Sequence, residues 1–317
     1  MNSKTFIFSI IAGLASALLA AVSLTHPGLL TLFIYVTSVP IFAASLAWGS
    51  LAGFVAASVT ILSTGFAASM PIALFLALLL IAPAAYAGHL AGLSRLGDDG
   101  KLYWFPLSGI LFRLALFIAV STITIGLWFG YDATTLANDI GKIIRDAMIA
   151  NGDPPSAAQE TAIGQNLKFV TTMLPMFLPA NLLIVLVWNM KVAEKLVRAK
   201  ATMRRPKDNI PADSGLPKMA MILFGAAVVV ALLVPSLQNA AFVVVGTMGM
   251  AIALIGMAVM HYFTWGRKGR AQILFLAYMI TITISLPLAL FLAVGLAELV
   301  FYLRARDPDR MPPNLNT

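Results

Sequence analysis

Charged residues are swept out of long stretches of this chain and crowded into the gaps between them. About ten such apolar stretches fill the 317 residues. A helix needs roughly 20 apolar residues to cross a hydrocarbon layer about 30 Å thick, at about 1.5 Å per residue. By that ruler, spans fall near 5–25, 29–47, 50–67, 70–92, 104–129, 168–190, 217–235 and 239–264, with a last apolar run at 271–303. The pattern predicts an all-α, polytopic transmembrane helical bundle.

Composition closes the alternatives. Hydrophobic residues make up 60% and charged residues 11% of the chain, against about 45–50% and 25% in soluble domains. No cysteine is present and the histidines number three, which excludes disulfides and thiolate chemistry and leaves little for a metal centre. No phosphate loop, catalytic triad or metal-ligand cluster stands out, so no cofactor and no enzymatic activity is expected. The net charge of +8 is what cytoplasmic loops rich in Lys and Arg produce, and calls for no nucleic-acid partner.

The charges also orient the chain. The segment Lys191–Lys218 carries Lys191, Lys195, Arg198, Lys200, Arg204, Arg205, Lys207 and Lys218. With that segment in the cytoplasm, Lys4, the Arg95–Lys101 loop and the Arg267–Arg270 loop also fall inside, while the acidic stretch 130–167 falls outside. A single crossing of 271–303 would leave Arg304, Arg306 and Arg310 outside. A hairpin turning at Ser285-Leu286-Pro287 returns them to the cytoplasm. The sequence SLPLALFLAVGL at 285–296 matches SMPIALFLALLL at 69–80 in eight of twelve positions, and Ser before Pro suits a helix entry. Ten spans with both termini cytoplasmic are expected, nine being the alternative. The first stretch is too long for a signal-peptide core and reads as an uncleaved signal-anchor.

Residues 1–198 then form a six-span front bundle with an outer insertion at 130–167, 199–216 a basic cytoplasmic loop, 217–306 the rear helices, and 307–317 a polar, disordered tail. Within the insertion, Leu136, Ile140, Ile143, Ile144, Ala147 and Met148 recur at helical spacing opposite Asp139, Lys142, Arg145 and Asp146. This predicts an amphipathic helix over 133–150, on the membrane surface or capping the outer mouth, and stopped by Asp153-Pro154-Pro155.

Polar groups inside apolar stretches are the candidate site residues. Arg113 lies deepest, with Glu298 as a possible buried partner or snorkelling as its alternative. His89 and His261 lie near inner span ends and His26 in the first outer turn. In the sixth span, Pro175 and Pro179 deprive the carbonyls near residues 171 and 175 of helical donors, and Asn181 or Asn189 is placed to meet freed backbone or a ligand. A broken helix of this kind often lines a transport site. The first span carries a small-residue face, with Ala12, Ser16 and Ala20 on one ladder and Gly13, Ala17 and Ala21 on the next, on which another helix can pack closely.

These marks resemble the YybS-like family of bacterial membrane proteins of unknown function. The resemblance rests on the Pro175/Pro179/Asn181 helix, the Leu216-Pro217 entry after a basic loop, the Gly249–His261 span, and Gly295, Glu298 and Arg304. Met248 stands where that family often has Gln, and Glu298 where it usually has Asp. The front six spans are also similar to the substrate-binding subunits of energy-coupling-factor transporters, whose first helix bears a small-residue face; the rear helices have no counterpart there. The resemblance implies a multi-pass protein of the bacterial cytoplasmic membrane. The small-residue first helix and the broken sixth helix predict binding or movement of a small lipophilic or vitamin-like solute, the alternative being an assembly factor whose basic loop and outer amphipathic helix contact other envelope proteins. Besides the lipid bilayer, a membrane-protein partner at the first span and a small-molecule ligand are the partners to look for.

Overall fold

Every apolar stretch is helical in the computed structural model, which describes residues 2–25, 28–200, 202–284 and 287–306. The front comprises α1 (Ser3–Thr25), a 3₁₀ segment (Leu29–Val36), α2 (Val39–Trp48), α3 (Ser50–Ala67), and α4 (Met70–Leu76) joined through a π turn (Ala77–Ile81) to α5 (Ala82–Gly92). After α6 (Leu107–Trp128) come α7 (Ala133–Ala150) and α8 (Ala157–Ala199). The rear comprises α9 (Ile210–Asp213), α10 (Lys218–Leu233), α11 (Gln238–Phe263), α12 (Arg270–Ile284) and α13 (Pro287–Phe301). One departure from the all-α expectation is a small antiparallel hairpin, β1 (Ser94–Leu96) with β2 (Leu102–Trp104), between α5 and α6.

Among the described residues, six helices are long and apolar enough to cross a membrane, and a seventh crossing arises if α12 and α13 count as one bent span. Two shorter apolar helices, Leu32–Trp48 and Lys218–Leu233, complete the set. The ten expected spans thus coincide with helices, but not all of them have spanning length. The proposed turn at Ser285-Leu286 and the tail 307–317 lie outside the described residues, as does His26.

The surface is apolar and the interior is made of small residues, the reverse of a soluble domain. Phe66, Leu127, Trp128, Leu232 and Ile282 are almost wholly exposed, whereas Ala20, Ala44, Ala52, Ala56, Ala84 and Ala115 are buried. On α1 the buried residues are Ser9, Gly13, Ser16, Ala17, Ala20 and Ser23. This face packs within the chain: a side chain at Gly13 would strike the Ala56 carbonyl and Val59 of α3, Thr60 Oγ1 donates to the Gly13 carbonyl at 3.1 Å, and Ser16 Oγ donates to the Thr37 carbonyl at 2.5 Å. The first-span face expected to meet another membrane protein is therefore covered by its own neighbours. What α1 exposes are Phe6, Ile7, Phe8, Ile11, Leu14 and Leu18.

α8 is one continuous helix of 43 residues with Pro175 and Pro179 inside it, about 64 Å long and twice the hydrocarbon thickness. The expected break at these prolines is a local loss of hydrogen bonds in an otherwise continuous helix. α8 begins at Ser156, whose side chain forms a capping box with Gln159, so it starts eleven residues before the expected span at 168. Its first turns pair with α7, held by an Arg145–Glu160 ion pair at 3.0 Å and by Leu167 against Gly141. α7 keeps its expected bounds and packs on α8, although Ile143 of its apolar face is exposed. Asp132 caps α7 by accepting from the Thr135 amide at 2.7 Å, a bond that holds its carboxyl below the usual carboxylate range.

α11 is the central helix, the most buried of the spanning candidates, and it packs on α6, α8, α10 and α13. Front and rear thus share one core, which includes Leu114, Leu183, Leu186, Met248 and Ala251. Three glycines let α11 approach its neighbours. A Cβ at Gly246 would strike the Met176 carbonyl of α8, and one at Gly256 the Phe291 carbonyl of α13. Reciprocally, a Cβ at Gly295 of α13 would strike the Ile252 carbonyl. Each glycine faces the carbonyl four residues before the other, so the two helices cross in backbone contact at a glycine pair.

Candidate functional site

The helix ends converge where α8 finishes. Here the C-termini of α2, α5, α8 and α11 meet the N-termini of α1, α3 and α6, together with the segment 202–215 and the residues after α13. We call this the loop end. A cavity of about 170 Å³ opens there between α6, α8 and α11. Its walls are Leu46 and Ala91 of α2 and α5, Ile110 and Leu114 of α6, Val187 and Met190 of α8, and Leu254, Ile255 and Ala258 of α11. Met203, Ile210, Ser214 and Gly215 close it from the loop. It is comparable with the ~150 Å³ apolar cavity that holds benzene and smaller than the ~300 Å³ at which drug-sized pockets begin.

Its polar rim is built of ion pairs. Glu194, buried at the end of α8, pairs with Lys191 and, at 2.9 Å, with Arg198. Arg198 also donates to the carbonyls of Arg205 and Pro206 at 3.0 and 2.8 Å. Arg205, 5% exposed, forks onto Asp208 at 2.8 and 2.9 Å and donates to the Phe105 and Ala91 carbonyls at 2.9 and 3.3 Å. The basic loop is thus stapled into the bundle. A planar guanidinium with five donors suits a place where helix-end carbonyls need partners.

A second staple comes from the chain's other end. Arg304 and Glu298 pair at 2.9 Å with both side chains about nine-tenths buried, and the Arg304 amide also donates to Glu298 at 3.2 Å. The guanidinium then reaches the carbonyls of Pro211 and Ser214 at 2.7 and 2.6 Å. The reversal needs Tyr302 at a positive φ of 50°. This corrects the expected Arg113–Glu298 pair. Arg113 is instead exposed and lies over the Phe105 ring, 4.8 Å from its centroid, bending toward the loop end as a snorkelling side chain does.

The sixth-span residues divide. Pro175 and Pro179 are buried, while Asn181 is exposed and points away from the core. The carbonyl that Pro175 deprives, that of Thr171, accepts from the Tyr131 hydroxyl at the α6–α7 junction. Burial pushes the Tyr131 hydroxyl above its ordinary pKa, helped by the adjacent Asp132 charge. The buried amide is Asn189, fully enclosed, whose Nδ2 donates to the Tyr35 carbonyl at 2.7 Å. Of the histidines, His89 bonds Ser50 at 2.7 Å and His261 bonds Tyr278 at 2.6 Å, so the two lie in separate helix contacts.

Pro175, Pro179, Asn181 and Arg113 therefore do not line the loop-end cavity, and neither does the α1 face. Sequence reasoning missed Arg205 and Asp208, whose i, i+3 spacing in a proline-bounded loop was the only available signal. Compared with known proteins, residues 14–299 match the sequence profile of a family described as "Predicted membrane protein (DUF2232)". Neither a curated protein nor a solved structure matches the chain.

Proposed function

We propose that this chain, which belongs to the DUF2232 family of predicted membrane proteins, binds a small apolar solute in the loop-end cavity. The observation that carries the reading is a chamber with apolar walls drawn from both halves of the chain and a rim whose charges are mutually paired. Such a rim offers no free charge to an ionic substrate, and the volume favours a solute about the size of one ring. A likeness of the front spans to transporter substrate-binding subunits would fit a solute-binding role, although the covered α1 face offers no ready surface for it.

The reading places the protein in a bacterial cytoplasmic membrane with ten crossings and both ends inside. Two features support that topology. Arg304 is bonded to the 211–214 segment, and Arg270 at the start of α12 lies beside His261 at the end of α11. Both ends of the α12–α13 pair thus approach the loop end.

The test is ligand-dependent thermal stabilisation of the purified protein against a panel of small apolar solutes, with native mass spectrometry for co-purifying molecules. Ala258→Leu and Ile110→Phe, which fill the cavity, are expected to fold and to lose the response. Absence of any stabilising or co-purifying solute, or an undiminished response in both filled variants, overturns the proposal. The alternative, an assembly factor, is favoured by the α7–α8 projection with exposed Ile143, Phe169 and Val170. A stable protein partner crosslinked through that projection, without a solute, is its signature.

A further inference from the structure

We infer that the loop end holds a second site, for a phosphate group, separate from the apolar cavity and independent of what that cavity binds. A recess of about 240 Å³ lies on the other side of Arg205 and Met203, bounded by the first turns of α1, the α2–α3 junction, β2 and Arg204. Unlike its neighbour it is polar. Thr5, Trp48, Trp104 and Arg204 line it, and no carboxylate does.

Which polar groups are already satisfied decides what the recess can take. Arg205 spends its guanidinium on Asp208, Ala91 and Phe105. Its neighbour Arg204 is exposed and has no ion pair or hydrogen bond among the described residues. The side chains of Thr5, Trp48 and Trp104 likewise have no hydrogen-bond partner there. Trp48 is held in place by stacking on Phe8, 5.1 Å between centroids with the rings 5° from parallel.

Tryptophan donates only, and a guanidinium donates only. A recess lined by one free guanidinium, two free indoles and a hydroxyl, with no acid opposing them, is matched by an acceptor-rich anion. Arg204 can meet a phosphate with two parallel N–H bonds. Helix-end carbonyls would otherwise repel such an anion, and Arg205 already covers the one at Ala91. The recess is smaller than whole-ligand pockets, which fits a head group whose remainder lies outside it.

Two sources carry this chemistry: an anionic phospholipid at the membrane surface, where indoles and arginines concentrate, and free phosphate. Purified full-length protein in a neutral detergent is heated with phosphatidylglycerol, with phosphatidylcholine, or with inorganic phosphate. The site predicts a stabilising shift with phosphatidylglycerol or with phosphate, smaller with phosphatidylcholine, that is lost in Arg204→Gln and retained in Lys268→Gln, a cation on the α11–α12 loop. A shift with phosphatidylglycerol alone assigns the lipid head group, and a shift with phosphate at equal ionic strength of chloride assigns the free anion. No anion-dependent shift, or equal loss in the two variants, overturns the inference. If Arg204→Gln misfolds, Trp104→Phe, which removes only an indole N–H, is measured in its place and must weaken the same response.

Discussion

Asn189 lies eight residues beyond Asn181 on α8, and that spacing carries it about 80° around the helix axis at about 100° per residue. One amide is fully enclosed and bonded to the Tyr35 carbonyl; the other is exposed. Removing one partner of a buried hydrogen bond costs about 1–3 kcal/mol, whereas an exposed substitution stays within about 0.5 kcal/mol. Asn189→Leu should therefore lower the thermal midpoint by several degrees in detergent, and Asn181→Leu should leave it unchanged. The reverse order would mean that α8 presents its other face to the bundle. Sequence inspection found both amides and took Asn181 for the site residue, because α8 is apolar nearly all round and its periodicity does not show which face turns inward.

At the scale of elements, proline and glycine set how helices meet. Pro175 frees the Thr171 carbonyl, and Tyr131 from the α6–α7 junction satisfies it. The two residues are thus coupled through one oxygen. Tyr131→Phe leaves that carbonyl without a donor and should cost about 1–3 kcal/mol. In a Pro175→Ala background the restored amide of residue 175 can serve the same carbonyl, so Tyr131→Phe should cost less than half as much. A double-mutant cycle on unfolding free energy measures this coupling, and strictly additive costs would remove Tyr131 from the role. The carbonyl's loss was legible from the proline alone. Its donor, 40 residues upstream, was not, since only the packing of α7 on α8 brings Tyr131 there. The same holds for Gly256 and Gly295, which are recognisable as small residues but find each other only in the crossing of α11 with α13.

For the whole molecule, the exposed prediction is topology. Reporter fusions after Asp153, Asn209 and Thr317 should read outside, inside and inside. An outside signal at Thr317 would mean that 271–303 crosses once and would be hard to square with Arg304 bonded to Pro211 and Ser214. α12 and α13 have 15 residues each, about 22 Å, so neither alone has the usual spanning length. Their axes are bent by 118° relative to one another.

The sequence by itself determined the membrane class, the helical character of the apolar stretches and the bounds of α7, because the hydrophobic effect and the need to satisfy backbone groups in lipid act on composition and spacing, which are local. Only the tertiary structure decided which charges pair. Glu298 takes Arg304, six residues away, because the chain reverses at Tyr302, and Arg205 turns inward because the carbonyls of Ala91, in the last turn of α5, and of Phe105, between β2 and α6, are met by a many-donor cation. Lipid imposes no preference among interior faces of helices apolar on every side. The choice of face, and with it the cavity between α6, α8 and α11, is made by close packing of small residues and by a few buried polar contacts between residues far apart in the chain.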